Sequence, residues 1–224
     1  VLDPEVTRSL PASLTATTGM DALTHAVEAY IGRSTTKETR EEAREAVRLI
    51  FSHVERAYRN GNDLEARKAM LQAAFLAGDA FSKSYVGYVH AIAHALGGCY
   101  NIPHGLANAV LLPIVLDGYG ECAAAKLHEL AVVAGVSTAE ESDSLAAEKF
   151  IVAIRGLNAR MGIPSTLRGI KEEDIHRLSQ YADAEANPLY PVPCLWNASQ
   201  LERFFYLVME EKKEIRVGQV ALVT

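Results

Sequence analysis

Helical periodicity, closed off repeatedly by capping side chains, is the feature that most constrains this chain. Thr35-Thr36-Lys37-Glu38 has the spacing of a capping box, and Ala43, Ala46, Val47 and Ile50 follow at intervals of three and four. Asn62-Asp63-Leu64-Glu65 opens a second run, with Met70, Ala73, Ala74 and Ala77 on one stripe. Ser137-Thr138-Ala139-Glu140 opens a third, through Phe150, Ile151 and Ile154 to Met161. Asn197-Ala198-Ser199-Gln200 opens a fourth, through Leu201, Phe204, Phe205 and Leu207. The same periodicity predicts helices near 13–31, 86–96, 104–118, 119–134 and 171–182, with a kink at Pro113. Strand candidates are confined to the first residues and Ile215–Val223, and the prolines between Asn187 and Pro193 mark a loop. No repeat, low-complexity tract or flexible linker divides the chain. The expected fold class is all-α, one multi-helix domain over residues 13–224. Residues 1–12 are expected to be the end of a strand and an interdomain connection, because Pro4 biases Asp3 away from helix. A strand ending so early predicts that the chain is the C-terminal part of something longer.

The 224 residues suffice for one sizeable core. With 22 Lys and Arg against 28 Asp and Glu, the net charge of -6 argues against nucleic acid or an anionic membrane as partner. No apolar run approaches the roughly 20 residues of a membrane span, and no signal peptide opens the chain. Cys99, Cys122 and Cys194 lack CxxC spacing and suit a reducing compartment, so the expected location is the cytoplasm. The glycines form neither G-x-G-x-x-G nor a Walker-type loop. Any nucleotide used by this chain is therefore held mostly elsewhere.

The chemical signal lies in one aspartate and four histidines. Asp21 and His25 are four residues apart, and so are His90 and His94. At about 100° per residue, that spacing returns two side chains to one helix face, a turn apart, where they can share an ion. Gly97-Gly98 offers a natural helix stop, and His104 begins the next helix in Ile102-Pro103-His104-Gly105. A single histidine on an apolar helix is more often a core residue, and HxxxH alone is weak. Here both pairs sit among small residues (Ala22, Ala26, Ala91, Ala93, Ala95), so they point into tight packing where unpaired polar groups are costly. A mixed Asp and His set suits Fe(II), Zn(II), Co(II) or Mn(II). Spacing does not separate His94 from the ligands. Glu28, three residues after His25, either orients it or faces water. His53, among charged helix residues, is expected to be exposed, and His128 and His176 lie in ordinary amphipathic helices; none of the three is assigned a role.

These residues resemble the iron-containing (group III) alcohol dehydrogenases. The resemblance rests on Asp3-Pro4, on Ser9-Leu10-Pro11, and on Ala16-Thr17-Thr18-Gly19-Met20-Asp21-Ala22-Leu23-Thr24-His25-Ala26-Val27-Glu28. It continues in Gly87-Tyr88-Val89-His90-Ala91-Ile92-Ala93-His94-Ala95-Leu96-Gly97-Gly98 and Pro103-His104-Gly105-Leu106-Ala107-Asn108-Ala109. Similarity is dense from residue 3 to 113, with Met161-Gly162-Ile163-Pro164 and Asn187-Pro188 as later echoes. Ala95 stands where many members have proline, and Phe81-Ser82-Lys83-Ser84-Tyr85-Val86-Gly87 departs from the commoner Phe-Ser-Asn-Ala-Gly-Leu-Gly. Lys83, Tyr85 and Tyr88 are therefore expected to alter the substrate pocket.

The resemblance implies a helical domain that faces an N-terminal dinucleotide-binding domain across the active-site cleft. It implies one divalent ion, Fe(II) or Zn(II), on Asp21, His25, His90 and His104. His94 would lie beside the nicotinamide of NAD or NADP and help proton transfer with an ordinary imidazole pKa, and Thr7 and Leu10 would touch the cofactor. The implied activity is hydride transfer between a small alcohol or aldehyde and NAD(P), by a protein that is commonly a homo-oligomer. Without the nucleotide-binding half the chain is expected to be inactive. Alternatives on the same architecture are a polyol dehydrogenase or a dehydroquinate-synthase-like enzyme. A non-catalytic helical module with a structural metal is the alternative from another class.

Overall fold

The computed structural model describes residues 1–210, so the strand expected at Ile215–Val223 lies outside the described residues. Among the described residues there are nine α-helices and no strand, only an isolated parallel bridge between Leu167 and Met209. The helices are α1 (Ala12–Ile31), α2 (Lys37–Arg59), α3 (Leu64–Ser84), α4 (Tyr88–Tyr100), α5 (His104–Tyr119), α6 (Ala124–Val133), α7 (Asp143–Arg160), α8 (Ile175–Ala186) and α9 (Ala198–Val208). The first residues form no strand, and none of the other described residues offers one to pair with them. Asp3 instead accepts from the Glu5 amide and caps a short 3-10 helix, Pro4–Thr7.

Local chemistry explains the boundaries, including those the sequence misplaced. The cap of α2 is Thr36 rather than Thr35, reciprocated by the Thr39 hydroxyl rather than by Glu38. Helix α3 opens within the quartet the sequence marks, with its second residue, Asp63, as the cap, and Asn197 with Gln200 forms the capping box on α9. The third opening fails: Ser137 turns its hydroxyl to Glu141, and α7 starts later, with Ser142 as its cap. Gly97-Gly98 does not stop α4, which runs on to Tyr100 and ends at Asn101 in the left-handed region, φ 54°. Asparagine tolerates that conformation because its short polar side chain bonds locally. Gly120, at φ 49°, breaks the helix expected over 119–134 into the end of α5, a 3-10 turn and α6.

Helix α1 packs against α2, α3 and α5, while α4 packs against both α5 and α8. Helix α5 is buried on nearly all sides from Ala107 to Leu116, as an all-round apolar helix must be. It runs through Pro113. Proline cannot donate to the carbonyl four residues back, that of Ala109. The side-chain amide of Asn158, on α7, donates to this carbonyl at 2.7 Å. The helix therefore keeps its acceptor satisfied without its own backbone.

Helix α1 meets the start of α5 at Gly105. A Cβ there would stand 2.7 Å from the Thr17 carbonyl oxygen and 2.9 Å from its carbon, both backbone atoms that cannot swing aside. This approach brings the turn after Thr17 alongside the first turn of α5. Gly105→Ala should lower the unfolding free energy by about 1–3 kcal/mol, the usual penalty of overpacking, as read from the midpoint of urea denaturation. An unchanged midpoint would show that the two helices have slack at this crossing.

Candidate metal centre

Three helices deliver four donors to one place. Asp21 and His25 come from α1, His90 from α4 and His104 from α5, and one ligand atom from each lies within 4.8 Å of all the others. Asp21 Oδ1 is 3.3 Å from His104 Nε2 and 3.8 Å from His90 Nε2, and Asp21 Oδ2 is 4.0 Å from His25 Nδ1. The His25 ring is stacked between Phe81, at 4.3 Å between centroids, and His90, at 4.5 Å. The His90 side chain is 2% exposed, whereas that of His104 is 43% exposed. The cluster is closed on its α1 and α4 sides and open toward the start of α5.

Glu28 sets the state of His90. Its buried carboxylate accepts from the amides of Gly87 and Val89, both at 2.8 Å, and lies 2.6 Å from His90 Nδ1. A carboxylate that accepts from two amides also takes the His90 Nδ1 hydrogen, so in the neutral ring the lone pair falls on Nε2. That Nε2 is buried without a hydrogen-bond partner. A buried lone pair facing an aspartate oxygen is unfavourable unless a cation lies between them. The donor chemistry thus fits a divalent ion of the Fe(II) or Zn(II) type. Glu28 serves His90, not His25, and does not face water. Gly87 is required beside it, since a Cβ there would come within 2.8 Å of Glu28 Oε1.

Asn108 also belongs to the cluster. Its side-chain nitrogen donates to Asp21 Oδ1 at 2.6 Å and lies 3.0 Å from His104 Nε2. The motif around His104 contained it, but only its place four residues on, one turn along α5, signals a shared face. Burial lowers the pKa of His104, against the pull of Asp21. Burial and the neighbouring His90 hold His25 down to about 4, against Asp21 and Glu28.

His94 stands at the rim. Its ring stacks on His104 at 5.2 Å and its side chain is 43% exposed. It is not one of the four converging donors. Its Nδ1 is 2.7 Å from Glu185 Oε1, and that hydrogen bond raises its pKa despite partial burial, so the ordinary value expected from the sequence is corrected upward. Burial alone would raise Glu185, but bonds from His94 and Tyr190 bring it below the usual carboxylate range. No sequence signal links His94 to a residue on α8.

The remaining candidates lie apart. Thr7 and Leu10 line a cavity of 120 Å³ with Thr18, Met70 and Ala74, none of them a donor. Lys83 is turned to the surface, its ammonium 2.9 Å from Glu38 and Asp79 and 3.4 Å from Glu42. That ammonium lies among Glu38, Glu42 and Asp79, the only other group of converging donors among the described residues. Tyr88 is buried; its hydroxyl accepts from the Trp196 amide and lies 2.9 Å from Asn187 Oδ1. Tyr85 is about half exposed and caps α3 at φ 65°. Lys83 and Tyr88 are thus occupied by structural contacts, not by a substrate pocket. His53 is half-buried, its Nδ1 at 2.9 Å from the Leu49 carbonyl. A cavity of 600 Å³ beside Tyr30, Arg40 and Arg44 contains none of the four converging donors.

Residues 15–203 match the family described as Fe-containing alcohol dehydrogenase family, C-terminal. The 1,3-propanediol dehydrogenase of Klebsiella pneumoniae is 45% identical over 187 residues, covering 83% of this chain and 48% of that protein. The NAD-dependent methanol dehydrogenase of Bacillus methanolicus is 40% identical, covering 81% and 48%. A crystal structure of 1,3-propanediol oxidoreductase superposes with a TM-score of 0.87 at 42% identity, over 91% of this chain and 54% of that one. The chain spans about half the length of the curated relatives it matches. No helix among the described residues is long and apolar enough to cross a membrane.

Glu28→Leu leaves two amides and the His90 Nδ1 hydrogen unpaired in the core. It should cost about 3–5 kcal/mol in urea denaturation of the metal-free protein, as breaking a buried charged network does. A loss under about 1 kcal/mol would deny the carboxylate its organising part. The pKa of His25 gives a second test. Below its ordinary value of 6.5 the unfolded ring takes a proton that the folded ring refuses, so metal-free stability should fall from pH 6.5 toward 4. Histidine NMR should find His25 titrating near 4, and titration near 6.5 would contradict its burial.

Proposed function

The chain belongs to the Fe-containing alcohol dehydrogenase family, and we propose that it is the metal-bearing part of an NAD(P)-dependent alcohol dehydrogenase. In this reading Asp21, His25, His90 and His104 hold one divalent ion, Fe(II) with Zn(II) as the alternative. A dinucleotide-binding domain holds NAD or NADP against Thr7, Leu10 and His94. The observation that carries the reading is the unpartnered, buried Nε2 of His90 among three further donors. The partners implied are a small alcohol or aldehyde and, as in a homo-oligomer, further copies of the protein.

When bound, such an ion supplies Lewis acidity, which makes an alcohol hydroxyl more acidic and polarises an aldehyde carbonyl. The chain's own residues prepare that chemistry. Glu28 presents the His90 lone pair, and Asn108 steadies the Asp21 carboxylate. His94, at the exposed rim, takes the hydroxyl proton in oxidation and returns one in reduction. The half-exposed His104 side leaves the cluster accessible, which favours a catalytic over a structural metal, since structural sites are closed. Both named relatives act on short alcohols by their names, and the proposed substrate is of that class.

Metal analysis after anaerobic purification tests the reading. The expected result is about one iron or zinc per chain, lost on His104→Ala while the helical content is kept. Wild-type protein that takes up no ion, even when titrated with Fe(II) or Zn(II) under exclusion of oxygen, would overturn the assignment of the four ligands.

A further inference from the structure

Two side chains beyond the donor cluster hold His94. The Glu185 carboxylate, on α8, lies 2.7 Å from His94 Nδ1 through Oε1. The Tyr190 hydroxyl donates to the same oxygen at 2.8 Å. Stacking on His104, with an interplanar angle of 20°, fixes the plane of the imidazole, and the bond at Nδ1 fixes its rotation about that plane's normal. Nε2 of His94 makes no hydrogen bond among the described residues. Tyr190 sits in the loop after α8, which is tied down through Tyr88: the Tyr88 hydroxyl meets Asn187 and the Trp196 backbone at the loop's two ends. The carboxylate and its tyrosine are thus anchored to α4, the helix that carries His94.

We propose that Glu185 is a positioning residue: with Tyr190 on the same oxygen, it holds His94 as the Nδ1–H tautomer, so that the Nε2 lone pair faces the cleft as the proton acceptor. This rests on the part given to His94 in the proposed function. A carboxylate accepts but never donates, so the hydrogen between His94 and Glu185 belongs to the ring. The bond made by one ring nitrogen decides the state of the other. Neutral histidine in water favours the opposite, Nε2–H form, in which the atom offered to a substrate hydroxyl already carries a hydrogen. Glu185 removes that form. Tyr190 orients the carboxylate without competing for the ring.

The tautomer is directly readable. Two-bond proton–nitrogen correlations of the histidine rings in the metal-free 224-residue chain, taken where the His94 ring is neutral, should show it as Nδ1–H. Glu185→Ala should shift it toward Nε2–H, and Glu185→Gln, whose amide oxygen still accepts, should keep the Nδ1–H form. In protein that oxidises alcohol, Glu185→Ala should lower kcat about 10–100-fold with KM little changed, the usual penalty for losing an orienting partner, and Gln should restore most of it. A wild-type His94 in the Nε2–H form, or a tautomer untouched by Glu185→Ala, would overturn the proposal, and so would an unchanged kcat. The nitrogen spectrum requires no metal, so failure of the metal assignment shows in metal content and failure of this proposal shows in the ring.

Discussion

The buried carboxylate of Glu28 is the interaction on which the rest of the site depends. It binds the amides of Gly87 and Val89, which are among the groups a helix N-terminus leaves without internal partners. Gly87 has no side chain with which to cap α4, so a residue from α1 caps it across the helix interface. The negative charge also suits the positive end of the helix dipole. The same carboxylate holds His90 Nδ1. One group therefore starts helix α4, docks it on α1 and chooses which nitrogen of its histidine is left bare. A neutral or apolar replacement would disturb all three at once, because they share two oxygen atoms.

Around that anchor the site is graded from closed to open. His90 is sealed, Asp21 and His25 are partly covered, and His104 and His94 stand at the exposed edge. The gradient follows from position along the helices: His90 lies in the buried first turn of α4, His94 stands one turn further on, and His104 is the first residue of α5, ahead of its buried stretch. The buried end is constrained by hydrogen bonds to backbone, and the open end by ring stacking and side chains. The converging side chains are thus held where they meet the core and accessible at the start of α5.

Much of this was legible in the sequence because it depends on spacing along one helix. Asp21 and His25, or His90 and His94, declare a shared face by being four residues apart, and the caps at Asp63 and Asn197 declare where helices begin. The family resemblance added the choice among the histidines. What stayed hidden depends on contacts across the fold. Glu28 meets His90 from 62 positions away, and Glu185 meets His94 from 91 away. The missed boundaries have local causes: a threonine in place of the glutamate in one capping box, and an asparagine that ends α4 two residues beyond an apparent glycine stop.

The amide of Asn158 on the Ala109 carbonyl has a consequence for how this chain can change. It is useful only because Pro113 leaves that carbonyl free. Were residue 113 to become an ordinary helix former, the backbone would reclaim the carbonyl, and Asn158 would be left with a buried amide and little to bind. Were Asn158 to change first, the carbonyl would be stranded. Each residue makes the other's loss harmful, so the two positions form a ratchet between α5 and α7. The exchange ties α5 to α7 at a carbonyl five residues along the helix from His104, about 7.5 Å at about 1.5 Å per residue, so a change at either position reaches the helix that carries that donor.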